Sequence, residues 1–193
     1  MPLIVDREAR RREVAHIATR LISLKGLEGA SVREIARAAG CSTAVVSHYF
    51  HNKRELLLFV YREALGETME RARRRRDRGG DLAYCLEAIL PLDQQRRDNW
   101  KVWFALWGMA MADPLFMDEQ RQRGREARAL FAELIGTTPG LDTTSGGALD
   151  FAARRLLVAV SGLATQATYD PEDWPPSRQR ALIASEIAAI GAR

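Results

Sequence analysis

Residues 31–57 read SVREIARAAGCSTAVVSHYFHNKRELL. Two short helical segments meet there at one glycine. Ser31 and Glu34 have capping-box spacing and open the first segment. Gly40 stops it, at a turn that needs a backbone tolerant of positive φ. Ser42 caps the second segment, which is expected to run to about Tyr49. Asn52 with Glu55 repeats the capping pattern and opens a further helix. Two such helices pack as a helix-turn-helix when three positions are right: a small residue at the crossing, a glycine at the turn and an aliphatic residue buried from the second helix. Ala36, Gly40 and Val46 meet these needs in order, with Ile35 and Phe50 completing a small core against Val14, Ile17 and Leu21.

Once Val46 points inward, the other side of helix 42–49 presents Thr43, Ala44, Ser47 and His48. These short side chains carry donors, acceptors and a methyl group, which suits close approach to base edges in a major groove. Thr43, Ala44 and Ser47, with Arg33 from the preceding helix, are expected to read bases. Ser31, Ser42, His48, Tyr49 and Lys53 are expected to hold phosphates, which fix register without reading sequence. Lys53 adds a charge at a helix N-terminus, itself an anion site.

Working outward, apolar residues recur at three and four and strand-like alternation is nearly absent, so an all-α fold is expected. A first helix from about Asp6 to Lys25 buries Val14, Ile17, Ala18, Leu21 and Leu24 and ends at Gly26 as a left-handed cap. The helix opened by Asn52 runs into the 70s, and Gly79-Gly80 marks a boundary. The organisation read from this is a helix-turn-helix domain over 1–51, a long linking helix over 52–78, and a helical bundle over 79–193 for ligand binding and dimerisation. Five helices are expected in the last part, near 81–96, 99–112, 114–135, 146–169 and 177–191.

The chain of 193 residues is 47% hydrophobic, enough to bury a sizeable core. Its only cysteines, Cys41 and Cys85, form no disulfide framework and suit a reducing compartment. The start, MPLIVDREARRRE, has no apolar stretch of the signal-peptide kind, and no run approaches the roughly 20 apolar residues of a membrane span. The expectation is a cytoplasmic protein with no membrane partner. Charge is uneven: residues 1–80 hold 17 Lys/Arg against 10 Asp/Glu, while the remainder holds 12 against 15. A basic front suggests that this part faces a polyanion.

The stretch from Gly40 to Leu57 resembles the DNA-binding segment of the TetR family of bacterial regulators, strongly over residues 10–60. The Ser47-His48-Tyr49-Phe50 ending is similar to that of the betaine-operon repressors, BetI; most of the family has Tyr where Ser47 stands. The resemblance implies a double-stranded DNA operator, a small-molecule effector, and a homodimer built through the last two helices. Residues 156–165, LLVAVSGLAT, and the stripe Leu182, Ile183, Ile187 and Ile190 suit such pairing, although both stripes also fit packing within one chain. A repressor released by its ligand is the expected function. A helical protein-binding module or a small enzyme are remote alternatives, since His16, His48 and His51 all fall in the DNA-binding part and no phosphate-loop or dinucleotide glycine pattern occurs.

Trp100, Trp103, Phe104, Trp107 and Met111 fall on one helix face. Such a stripe is the ordinary pattern of core packing, yet three indoles together also suit a cage for a quaternary ammonium group. Tyr84 is a further candidate wall and Glu87 a compensating charge. This segment resembles the Ala-Trp-Leu-Ala-Phe-Trp stretch of the betaine regulators, which points to choline or a related small organic cation. Against that, the betaine repressors carry Asp-Gly-Leu-Trp where this chain has Ser161-Gly162-Leu163-Ala164, so a neutral hydrophobic ligand is the alternative. No cofactor, metal or catalytic residue is expected: Cys41, His48 and His51 lack a fourth zinc ligand nearby. Arg10 to Arg12 read as the wet face of the first helix rather than a minor-groove arm, and Arg73 to Arg76 as a solvated helix end.

Overall fold

The computed structural model describes residues 7–141 and 146–191, and among them every regular element is a helix. In chain order these are α1 (Arg7–Gly29), α2 (Val32–Ala38), α3 (Thr43–Tyr49), α4 (Lys53–Asp77), α5 (Leu82–Glu87), α6 (Gln94–Ala110), α7 (Pro114–Gly136), α8 (Gly146–Tyr169) and α9 (Pro176–Gly191). The expected start at Asp6 and residues 142–145 lie outside the described residues.

The chain divides into two compact units, residues 1–66 with 101–119, and residues 67–100 with 120–193. In the first, α1 packs on α2 and α3, and α2 packs on α3. Ile35, Ala36, Val46 and Phe50 are all buried, as the helix-turn-helix pattern requires. In the second, α8 and α5 both pack on α9. α8 buries Ala152, Ala153, Leu156, Val160, Leu163, Ala164 and Ala167, a small-residue face that brings helices close.

Two expectations need correction. The buried face of α1 is Val14, Ala15, Ala18 and Ile22; Ile17 and Leu21 are half-buried, and Leu24 is 72% exposed. Leu24 follows Ile22 by two positions, about 200° around a helix, so both cannot face the core. Gly26 takes positive φ (70°) and breaks the helical path where the end was expected, with a further short helical stretch running on to Gly29. The helix expected over 81–96 is broken: α5 ends at Glu87 and α6 starts at Gln94. Pro91 has no N–H and pushes the residue before it out of the α region. Asp93 then accepts a 2.9 Å bond from the Arg96 N–H and caps α6.

The arginine run of α4 is also more than a solvated end. Arg73 and Arg76 both pair with Glu133 of α7. Arg75 stacks 4.2 Å from the Tyr84 ring centroid and donates to the Tyr84 carbonyl at 2.6 Å.

Candidate nucleic-acid interface

The interface is assembled from local rules. Ser31 caps α2 by accepting the Glu34 N–H (3.2 Å), and Ser42 caps α3 by accepting the Val45 N–H (3.4 Å). Gly40 carries φ 63° in the turn, and the Cys41 N–H donates to Ala36 O at 3.0 Å. These bonds fix α3 against α2 with Val46 inward. The outward side then holds Ser42, Thr43, Ala44, Ser47 and His48, all exposed, beside exposed Arg33 on α2. Tyr49 and Ser31 are half-buried, and the His48 and Tyr49 rings meet edge to face at 5.2 Å.

Lys53 sits differently from a free surface charge. Its Nζ donates to Leu27 O at 2.7 Å, tying the start of α4 to the last turn of α1. A lysine ammonium has three donors, so this one bond does not exhaust its capacity. Asn52 caps α4 by accepting the Glu55 N–H (2.8 Å), and the Glu55 carboxylate accepts the His51 N–H (2.9 Å).

The support beneath α3 includes a residue that local patterns do not mark. The Arg11 guanidinium lies 5.0 Å from the Phe50 ring centroid and 4.4 Å from that of Phe59, and pairs with Glu55 at 3.4 Å. Arg10 to Arg12 thus divide their work: Arg10 pairs with Glu13, Arg12 with Glu63, and Arg11 braces the end of α3. Only a long-range pairing signal would have revealed it, since Arg11 and Glu55 are 44 positions apart.

The same unit holds Trp103, Phe104, Trp107 and Met111. Trp103 is buried, Phe104 and Trp107 are half-buried, and Met111 is 80% exposed at the helix end. The Phe104 and Trp107 rings meet edge to face at 5.4 Å, and the Trp107 indole N–H donates to the Tyr61 hydroxyl at 3.1 Å. Arg62 forks onto buried Glu119, with its Nε 2.9 Å from Oε1, and Arg54 pairs with Asp113. In the other unit, Trp100 is buried and donates to Ile89 O at 2.8 Å, while half-exposed Tyr84 lies under Arg75.

Comparison with known proteins agrees with this architecture. Residues 16–60 match the family model for bacterial regulatory proteins of the tetR family, and residues 80–192 match that for the C-terminal part of BetI-type transcriptional repressors. The HTH-type transcriptional regulator PksA of Bacillus subtilis is 27% identical over 98% of this chain and 94% of its own length. The HTH-type transcriptional regulator BetI of Burkholderia cenocepacia is 30% identical over 76% of this chain and 80% of its own. Among solved structures, a transcriptional regulator from Rhodococcus sp. superposes with a TM-score of 0.79 at 30% identity, covering 93% of this chain and 95% of that one. A putative transcriptional regulator from Saccharomonospora viridis, solved in complex with choline, gives a TM-score of 0.80 at 23% identity, covering 94% and 96%. These relatives are transcriptional regulators rather than enzymes, and the chain belongs to the tetR family of bacterial regulatory proteins, with a C-terminal part of the BetI-type repressor kind.

Proposed function

We propose that this regulator is a repressor that binds a pseudo-palindromic operator as a homodimer and leaves it when a small organic molecule binds. The observation that carries the reading is the outward side of α3: Thr43, Ala44 and Ser47 are short, exposed and held by a capped, glycine-turned helix pair. Two such helices on a two-fold axis read two half-sites one helical turn apart, which a single module cannot do with useful specificity. The pairing surface is α8 with α9, where Phe151 (56%), Val158 (72%) and Tyr169 (74%) stand exposed on α8.

The effector is a small organic cation such as choline or a related compound, held against Trp103, Phe104 and Trp107, whose faces attract cations. Support comes from the BetI-type match and from the choline bound to the Saccharomonospora neighbour. A second reading, a neutral hydrophobic effector, is favoured by one observation: α8 offers buried Leu163 and Ala164, with no carboxylate beside them at Ser161 or Gly162. Release requires that the ligand prefer the conformation whose recognition helices are wrongly spaced, since equal affinity for both shifts nothing.

The test is a gel-shift titration against an operator selected from random DNA, followed by thermal-shift assays with choline and with neutral apolar compounds. Binding that ignores sequence and salt would sink the regulator's operator reading. If stabilising cationic hits lose their effect in Trp103→Ala, the cation reading stands; stabilisation by apolar compounds alone selects the neutral one.

A further inference from the structure

The end of α5 is finished by side chains as much as by backbone. Pro91 has no N–H, so the Glu87 carbonyl lacks the donor that a continuing helix would supply. The Ala88 N–H turns to Cys85 O at 3.1 Å, the Ile89 and Leu90 N–H groups share Leu86 O, and the Leu92 N–H takes Leu90 O at 2.8 Å. Three arginines reach the carbonyls between these. Arg75 Nη1 donates to Tyr84 O at 2.6 Å, Arg96 Nη1 to Glu87 O at 2.5 Å, and Arg71 Nη1 to Ala88 O at 3.3 Å. Arg71 and Arg75 stand one turn apart on α4, and Arg96 lies in the first turn of α6. All of these residues fall within 67–100, inside one compact unit.

The three cations are not equally provided for. Arg96 pairs with Asp93 at 2.8 Å, and Arg75 lies 4.2 Å over the Tyr84 ring. Gly80 lets that ring sit close: a Cβ there would stand 2.7 Å from Tyr84 Cδ1 and 2.8 Å from Arg75 O. Arg71, half-buried, has one long bond to Ala88 O and, among the described residues, no carboxylate in ion-pair contact. A guanidinium carries five donors, so that bond leaves most of its fork unfilled. Burial, and after it the charge of Arg96, push the Arg71 guanidinium below its ordinary value, while Glu67 and Asp93 act the other way. Arg71, Arg75 and Arg96 thus set three positive charges against two negative, and one positive charge is left over. A partly desolvated cation whose strongest charged neighbour is a second cation is stabilised by an anion.

We propose that Arg71, with Arg96 beside it, binds the carboxylate of a small organic acid. The planar guanidinium fork matches two carboxylate oxygens, which gives geometry as well as charge. One negative charge balances the cluster. A phosphate dianion would leave an excess beside Asp93 and Glu67. The Tyr84 ring, 48% exposed and one turn along under Arg75, offers a wall to the apolar body of the acid. The bound carboxylate ties α4 to the start of α6 across the end of α5. This is a second effector site, opposite in charge to the one proposed at Trp103, Phe104 and Trp107, and it does not depend on that reading.

The experiment melts the full chain in potassium acetate, benzoate or phosphate, each against potassium chloride of the same ionic strength, and with neutral benzamide. Acetate and benzoate are expected to raise Tm above the chloride value, by about 3–6 °C at ten times the dissociation constant. Benzamide keeps the ring without the charge and is expected to give no shift. Arg71→Met keeps the stem and is expected to weaken benzoate binding by about tenfold or more. Asp93→Asn keeps a cap on α6 and removes the rival carboxylate, so it is expected to bind benzoate several-fold more tightly, a gain that misfolding cannot produce. The proposal is overturned if no carboxylate exceeds chloride, or if benzamide matches benzoate. Undiminished benzoate binding in Arg71→Met, or no gain in Asp93→Asn, places the ligand elsewhere and overturns it as well. A shift with phosphate alone rejects the carboxylate assignment.

Discussion

Arg11 shows how a single side chain can brace the face proposed to meet DNA. Its cation lies between the Phe50 and Phe59 rings and beside Glu55, so it touches both the residue that ends α3 and the carboxylate that organises the start of α4. Arg11→Met keeps the aliphatic stem and removes the charge. We expect a loss of about 1–2 kcal/mol in urea unfolding and weaker binding to specific and random DNA alike. A variant that loses sequence preference while keeping its stability would contradict this role. Lys53 has a double role to test. Lys53→Met is expected to cost about 1 kcal/mol through the lost bond to Leu27 O, and to lower the slope of log affinity against log salt by about one for each phosphate contact. The residues legible in advance were those with local grammar: Ser31, Ser42, Gly40, Ala36 and Val46 announce themselves through partners three to ten positions away. Arg11, Arg54 and Arg62 do not, because their partners at Glu55, Asp113 and Glu119 are brought near only by tertiary folding.

At the scale of elements, two seven-residue helices depend on their ends. α3 is too short to hold itself, and one hydroxyl satisfies a terminal N–H. Ser42→Ala is expected to destabilise by about 1 kcal/mol. Ser42→Asp keeps a cap but adds a negative charge at an expected phosphate contact, so we expect near wild-type melting with much weaker DNA binding. Equal DNA affinity in the wild type and the Asp variant would remove Ser42 from the phosphate set. The tie between α4 and α7 has a pH signature. Burial alone would raise the Glu133 carboxyl, but the bonds from Arg76 and Arg73 together outweigh it and hold the group below its ordinary value of 4.5. A carboxylate so depressed stabilises the fold above pH 4.5 and loses that contribution as pH falls through its lowered value. Glu133→Gln should therefore be less stable than wild type at neutral pH, by under about 1 kcal/mol for so exposed a pair, with the gap closing in acid. A gap constant across pH would refute the ion-pair account. Helix boundaries followed local chemistry where caps were strong; the break at Pro91 was passed over by reading one helix through 81–96, although the proline and the wholly polar stretch of residues 93–99 both mark it.

For the whole molecule, the sequence-level charge asymmetry separates two equilibria that the proposed function couples. Residues 1–80 carry the excess of Lys/Arg and residues 81–193 the excess of Asp/Glu. DNA affinity, resting on phosphate contacts, falls with salt at about 0.9 log units per contact per log unit of salt. The proposed pairing face is apolar and aromatic along its centre, with its arginines matched inside each chain, and apolar burial is not weakened by screening. Raising salt from about 50 to 200 mM is therefore expected to cost on the order of a thousandfold in operator affinity for about six phosphate contacts per dimer, while the dimer dissociation constant changes little. Fluorescence anisotropy and sedimentation in the same buffers measure both. If the dimer dissociates in step with DNA release, charge rather than apolar contact through α8 and α9 holds the copies together, and the salt slope reports assembly instead of phosphate contacts.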